Sequence, residues 1–216
     1  MKNTYNIMVS GGTGRIEEKR SVFIASIRAV HDETEAAAFM DEIKKKFWDA
    51  SHHCYAYVLG GDPAPKKFSD AGEPSGTAGK PILDIIEGEG LHDTMIIVTR
   101  YFGGTLLGTG GLVRAYQGAA REGLRHCIVA ERHEGVRLTY IIDYDFYGKL
   151  QKMAEKEPVH LMAPEFSDKI KINIAVDKSY SENIIDKVED LSAAKAKLSD
   201  RTDIYFTETD GKVEIL

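Results

Sequence analysis

Two glycine-rich blocks on either side of one apolar segment constrain this chain more than any other feature. The first reads Phe68-Ser69-Asp70-Ala71-Gly72-Glu73-Pro74-Ser75-Gly76-Thr77-Ala78-Gly79-Lys80-Pro81. The second reads Arg100-Tyr101-Phe102-Gly103-Gly104-Thr105-Leu106-Leu107-Gly108-Thr109-Gly110-Gly111-Leu112-Val113-Arg114-Ala115-Tyr116. Glycine tolerates conformations and close approaches that a side chain forbids, at a cost in chain entropy. Eight glycines interleaved with Ser, Thr, Asp, Glu, Lys and Arg read as a shaped polar surface rather than a spacer.

Neither block is a standard nucleotide cradle. A Walker A loop requires Gly, four residues, then Gly-Lys-Ser/Thr. Gly79-Lys80 supplies the pair, but Pro74 and Pro81 stand where the first glycine and the hydroxyl belong. Gly108-Thr109-Gly110 opens a GxGxxG pattern that fails at Val113. What remains is a generic anion site, because each block leads into a helix-like stretch whose N-terminus presents unpaired N–H groups. Its candidate ligands are the cations Lys80, Arg100 and Arg114, the hydroxyls of Ser75 and Thr77, and Gly103, Gly104, Gly110 and Gly111 as points of close approach. Tyr101 beside Arg100 offers a platform for stacking a base, or else packs at the sheet end. The competing reading of the glycines is tight turns and close helix–sheet packing.

The chemistry available to a catalyst is narrower. His52 and His53 are adjacent in a predicted strand and point to opposite faces, so they do not share a metal ion. No metal or cofactor is expected. His52 groups with Cys54, Ala56 and Val58 as the core side, and His53 with Tyr55 and Tyr57 as the side bordering the glycine-rich surface. There, His53 with Asp70 or Glu73 would make a general base and its orienting carboxylate, with Ser69 or Ser75 as nucleophile. That combination describes a hydrolase of small phosphorylated or peptide-like substrates. No GxSxG or HExxH motif accompanies it, and Asp70 and Ser69 equally suit local turn hydrogen bonds.

Both blocks, with His52-His53-Cys54-Tyr55-Ala56 and Glu18-Lys19-Arg20-Ser21-Val22-Phe23-Ile24, closely resemble the IMPACT family in its bacterial YigZ-type branch. The resemblance covers about residues 13–127. It implies an α+β fold (α/β two-layer), with a ribosomal-protein-type N-terminal domain and a ferredoxin-like C-terminal domain, both resembling domains of elongation factor G. Eukaryotic members of the family regulate translation by binding an activator of the starvation-responsive initiation-factor kinase. The resemblance therefore implies a non-enzymatic, translation-associated regulator that binds RNA, the ribosome or a translation-related protein through a glycine-rich polar groove.

Hydrophobic periodicity agrees with two domains, 1–132 and 133–216, with a loose arm expected over 1–14 and a dividing turn at His133-Glu134-Gly135. In the first, Asp32 caps a helix over 33–47 between predicted strands over 20–27 and 52–59. The second reads β-α-β-β-α-β, with Ser179 or Ser181 capping its second helix. The formal net charge of −6 argues against indiscriminate nucleic-acid binding, which draws on a basic face. Residues 1–131 hold 15 Lys/Arg against 17 Asp/Glu, and the remainder 13 against 17, so neither half is basic. Lys44-Lys45-Lys46 and Lys66-Lys67 are further short basic runs, the triplet reading chiefly as a solvated helix end. No apolar run approaches a membrane span, and Cys54 and Cys127 have no CxxC partner. Reduced thiols and a start lacking an apolar h-region lead to the expectation of a cytoplasmic protein.

Overall fold

Residues 5–61, 63–209 and 212–216 are described by a computed structural model. They divide into two units, Tyr5–Ala130 and Glu131–Leu216.

The first unit contains β1 Tyr5–Ser10, β2 Gly12–Glu18, β3 Ser21–Ala29, α1 Glu33–Lys46, β4 His52–Val58, β5 Lys66–Ser69, α2 Gly79–Gly88, β6 Leu91–His92, β7 Thr94–Tyr101 and α3 Thr109–Leu124. Five strands form an antiparallel sheet in the order β2-β3-β7-β4-β5, and β1 pairs in parallel with β6.

Helix α1 starts where Asp32 accepts a hydrogen bond from the Glu35 N–H at 2.8 Å. Glu33 and Glu35 in its first turn and Lys44, Lys45 and Lys46 in its last complement the helix dipole. Its stripe of Ala36, Phe39, Met40 and Ile43 packs on Tyr57, Met95 and Ile97. Alternate residues of the same strands, Cys54, Ala56, Ile96 and Val98, face the other way and meet Ile82 and Ile86 of α2 and Leu112, Tyr116 and Ala119 of α3. Helices thus cover both faces of this sheet, adding a layer to the two expected. Consequently β7 is buried on both sides, with Met95-Ile96-Ile97-Val98 as an unbroken apolar run at its centre.

The second unit contains most of β8 Ile128–Ile142, then α4 Tyr144–Ala154, β9 Val159–Leu161, β10 Glu165–Phe166, β11 Ile170–Asp177, α5 Ser181–Ser192, β12 Lys197–Thr209 and β13 Lys212–Ile215. Its antiparallel order β12-β8-β11-β9 is ferredoxin-like. Phe146, Leu150 and Met153 of α4 and Ile184 and Val188 of α5 close over Val136, Leu138, Ile172 and Ile174. The α+β class and the ferredoxin-like second half agree with expectation.

Three local expectations are corrected. Residues 5–14 are not a loose arm but form β1 and the start of β2, while residues 1–4 lie outside the described residues. His133-Glu134-Gly135 is not a turn but lies within β8; a Cβ at Gly135 would come within 2.5 Å of Phe206 Cε1, so glycine there makes room for a ring. The cap before α5 is neither serine: Asp177 accepts from the Ser179 N–H at 2.9 Å and opens a short 3-10 turn.

Candidate functional site

The first glycine-rich loop is closed by one carboxylate. Asp70, just after β5, accepts hydrogen bonds from the N–H groups of Gly76 at 2.9 Å, Ala78 at 2.9 Å and Gly79 at 2.8 Å. Burial works against its charge, but the amides of Gly76, Gly79 and Ala78 outweigh it and hold the carboxyl below its usual range. Ala78 and Gly79 form the start of α2, so this helix already has its anion, supplied by Asp70. A Cβ at Gly79 would lie 2.7 Å from the Ser69 carbonyl carbon, so only glycine lets the helix start this close to β5.

Beneath the loop lies a buried network. Arg100 Nη1 contacts Glu73 Oε1 at 2.5 Å, with their side chains 6% and 4% exposed. Tyr116 Oη of α3 donates to the same Glu73 oxygen at 2.7 Å. The Cys54 thiol donates to the Asp70 carbonyl oxygen at 2.9 Å and lies 3.3 Å from Tyr116 Oη. The guanidinium of Arg100 lies over the rings of Phe23 at 5.3 Å and Phe102 at 5.5 Å. Burial pushes the Cys54 thiol up to about 12 and raises the Tyr116 phenol further still, so both stay protonated near neutral pH. Together these groups tie the first loop to β7, β4 and α3.

The second loop is fixed at one end and open along the rest. The Gly103 N–H donates to Ser21 Oγ at 3.1 Å, and a Cβ at Gly103 would collide with the Arg20 backbone. Arg20 Nη2 donates to Thr105 Oγ1 at 3.2 Å. From there the loop is exposed: Leu106 is 84% and Phe102 50% accessible. Gly104, Gly108 and Gly110 are exposed, and a Cβ at Gly104 or Gly110 would meet nothing within 4 Å. Helix α3 starts after Gly108 with no side-chain cap. Arg114, one turn in, is exposed and makes no ion pair or hydrogen bond among the described residues.

Several expected roles are corrected by these positions. Arg100 is consumed by Glu73, and Thr77 Oγ1 donates to the Pro74 carbonyl at 2.6 Å. Lys80 lies on the outer side of α2, paired with Asp84 at 2.7 Å and Glu87 at 3.6 Å, which raises its proton affinity. Tyr101 belongs to the β7 face that meets α1, where its hydroxyl donates to Asp49 Oδ1 at 2.8 Å; it is no stacking platform for this loop. Ser75, Gly104, Gly110 and Arg114 remain accessible, with Gly111 half-buried against Leu107.

The two faces of β4 group as expected, with Cys54, Ala56 and Val58 in the core, but the glycine-rich loop borders the His52 face rather than the His53 face. His52 turns toward the glycine-rich loop, its Nδ1 lying 2.9 Å from the Ala71 carbonyl oxygen. His53 is on the α1 side, where burial lowers its proton affinity against a partly offsetting hydrogen bond with the Phe47 backbone. It is separated by the sheet from Asp70 and Glu73, so the proposed base–carboxylate pairing does not exist. Ser21, Cys54 and Tyr116 complete the network, and sequence reasoning had not placed them there. Alternation in β4 does group Cys54 with His52, but it does not say which helix covers them.

The sequence matches the Impact N-terminal domain over residues 19–124. It is 34% identical over 200 residues to the IMPACT family member YvyE of Bacillus subtilis (strain 168), covering 93% of this chain and 92% of that protein. The chain belongs to the IMPACT family. It is also 45% identical over 111 residues to the IMPACT family member YigZ of Escherichia coli (strain K12), spanning 50% of this chain and 54% of that one. A crystal structure described only as that of a hypothetical protein superimposes with a TM-score of 0.60 at 30% identity, covering 92% of this chain and 97% of the other. Residues 141–195 match a domain of unknown function, DUF1949. In this IMPACT family member the N-terminal match takes in both glycine-rich loops and the Glu73–Arg100 pair, and the second match runs from α4 through α5.

Proposed function

We propose that this protein is a non-enzymatic, translation-associated regulator that acts in the cytoplasm and binds RNA, the ribosome or a translation-related protein through the glycine-rich face of its first unit. The observation that carries this reading is the internal pairing of the groups under the loops. Asp70, Glu73, Tyr116 and Cys54 bond one another, the Arg100 guanidinium or the loop backbone, leaving only Arg100 Nε of these groups without a partner among the described residues, which suits a scaffold rather than a reacting centre. What faces outward is open backbone at Gly104 and Gly110, the apolar Phe102 and Leu106, and the unpaired Arg114. Apolar anchors beside a guanidinium are the ingredients of a macromolecular contact. The association with translation is supported by membership of the IMPACT family, whose eukaryotic members regulate translation.

The test is co-sedimentation with ribosomes and retention of short RNA across a salt series, comparing wild type with Arg114→Glu and Leu106→Asp. Each variant is expected to weaken binding about tenfold, with only the Arg114 effect shrinking as salt rises. If wild type binds neither ribosomes nor RNA, those two partners are eliminated and a protein partner is the surviving form. A partner held equally well by both variants would exclude this face.

A further inference from the structure

The second unit is acidic in sum, yet lysines gather on one side of it. A groove of about 540 Å³ runs between α4 and α5, lined by Lys149, Lys152, Met153, Lys156, Glu157, Lys187, Asp190 and Leu191. Lys187 is held by Glu157 at 2.7 Å. Lys149, Lys152 and Lys156 are exposed and make no ion pair or hydrogen bond among the described residues. Spaced three and four apart, they form one ridge along and just beyond α4, about 10 Å long. Between the charges the floor is apolar: Met153 is buried, and Leu191 is 46% exposed.

We propose that this groove is a docking site for an acidic amphipathic helix of a partner protein. The four lysines face only two carboxylates, Glu157 and Asp190, so the rim has an excess of positive charge to complement. An apolar floor between two helices accepts the i, i+3, i+4, i+7 stripe of a third, while acidic residues on its flanks reach the lysine ridge. Nucleic acid fits less well, because none of the lining residues is aromatic, Tyr180 beside the groove is engaged by Lys187 and Glu157, and the floor presents hydrocarbon where phosphates would lie. A lipid surface also fits less well, since its apolar part is the floor of a groove rather than a projecting wedge. This site lies in a different unit from the glycine-rich face and is tested separately from it.

The experiment titrates the full chain with a fluorescent peptide of about four turns, carrying Leu at i, i+3, i+4 and i+7 and Glu between them. A shuffled peptide of the same composition is the control. Wild type is expected to prefer the amphipathic peptide by at least about tenfold. Lys149→Glu/Lys152→Glu/Lys156→Glu is expected to lose at least about tenfold, less at high salt, and Leu191→Gln a similar factor that salt does not erase. Arg114→Glu should leave peptide affinity unchanged, and unfolding curves should show all variants folded. Failure of wild type to bind, or equal affinity for the shuffled peptide, would overturn the proposal. So would binding of a uridine-rich oligonucleotide or of anionic vesicles that the triple variant loses and Leu191→Gln retains.

Discussion

Asp70 holds three backbone amides with one side chain, and so decides whether residues 70–79 form a loop or a loose segment. Asp70→Asn removes the charge and replaces one acceptor oxygen by a donor facing an N–H. A loss of about 2–4 kcal/mol follows from charge-assisted hydrogen bonds of this kind. The pH dependence has a definite sign. The folded carboxyl titrates below its ordinary 3.8, so its contribution is complete above that value and is lost as pH falls through the lower folded one. Urea unfolding should therefore show the full difference between wild type and Asp70→Asn near neutrality and a gap that narrows as the pH is taken down through the acid range below 3.8. A gap unchanged in acid would mean that the charge is not what holds the loop. Arg100 differs in kind. It is buried against Glu73, and removing either partner strands a charge, so substitution there reports on folding before it reports on a ligand.

At the scale of elements, two glycines of the same sequence block have opposite reasons for being there. Gly103 sits against the Arg20 backbone, which cannot yield, so Gly103→Ala should cost about 3 kcal/mol. Gly110 lies in the first turn of α3 with open space where a Cβ would go, and Gly110→Ala should stabilise by about 0.5 kcal/mol. If a partner approaches the backbone closely at Gly110, the alanine variant will be more stable and yet bind more weakly. Denaturant midpoints beside co-sedimentation separate the two effects, and undiminished binding would remove Gly110 from the contact. The same contrast explains what was legible in the sequence. Capping of α1 by Asp32 is a local hydrogen bond between residues three apart, so it can be read from the chain alone. Alternation correctly separates His52 from His53 and puts Cys54, Ala56 and Val58 in the core, but it does not say which face the glycine-rich loop borders, because that is set by α2 and α3 packing on the sheet. Lys66-Lys67-Phe68-Ser69 carries no apolar alternation, so β5 is defined by its pairing with β4 rather than by its own pattern. Tyr116 joins Glu73 across 43 positions, a contact that depends on tertiary packing.

For the whole molecule the decisive quantity is charge. A chain of net −6 cannot attract a polyanion as a body, so any RNA bound by the first unit must be held by local cations. Around the second glycine-rich loop these are Arg114, Lys19 and Arg20, all exposed, and Arg20 also bonds Thr105. Three contacts to a single strand release counterions equivalent to a slope of log K against log salt no steeper than about −2. Long duplex DNA should accordingly show no stable complex at physiological salt, and Arg114→Glu should flatten the RNA slope by about 0.7. A measured slope near −5 would require cations that this face does not have. The ridge of Lys149, Lys152 and Lys156 is another concentration of unpaired positive charge, so its triple Glu variant becomes the deciding comparison. If that variant flattens a steep slope while Arg114→Glu does not, RNA is carried by the second unit and the glycine-rich face is left with a protein partner. If Arg114→Glu alone flattens a shallow slope, the phosphates lie on the glycine-rich face.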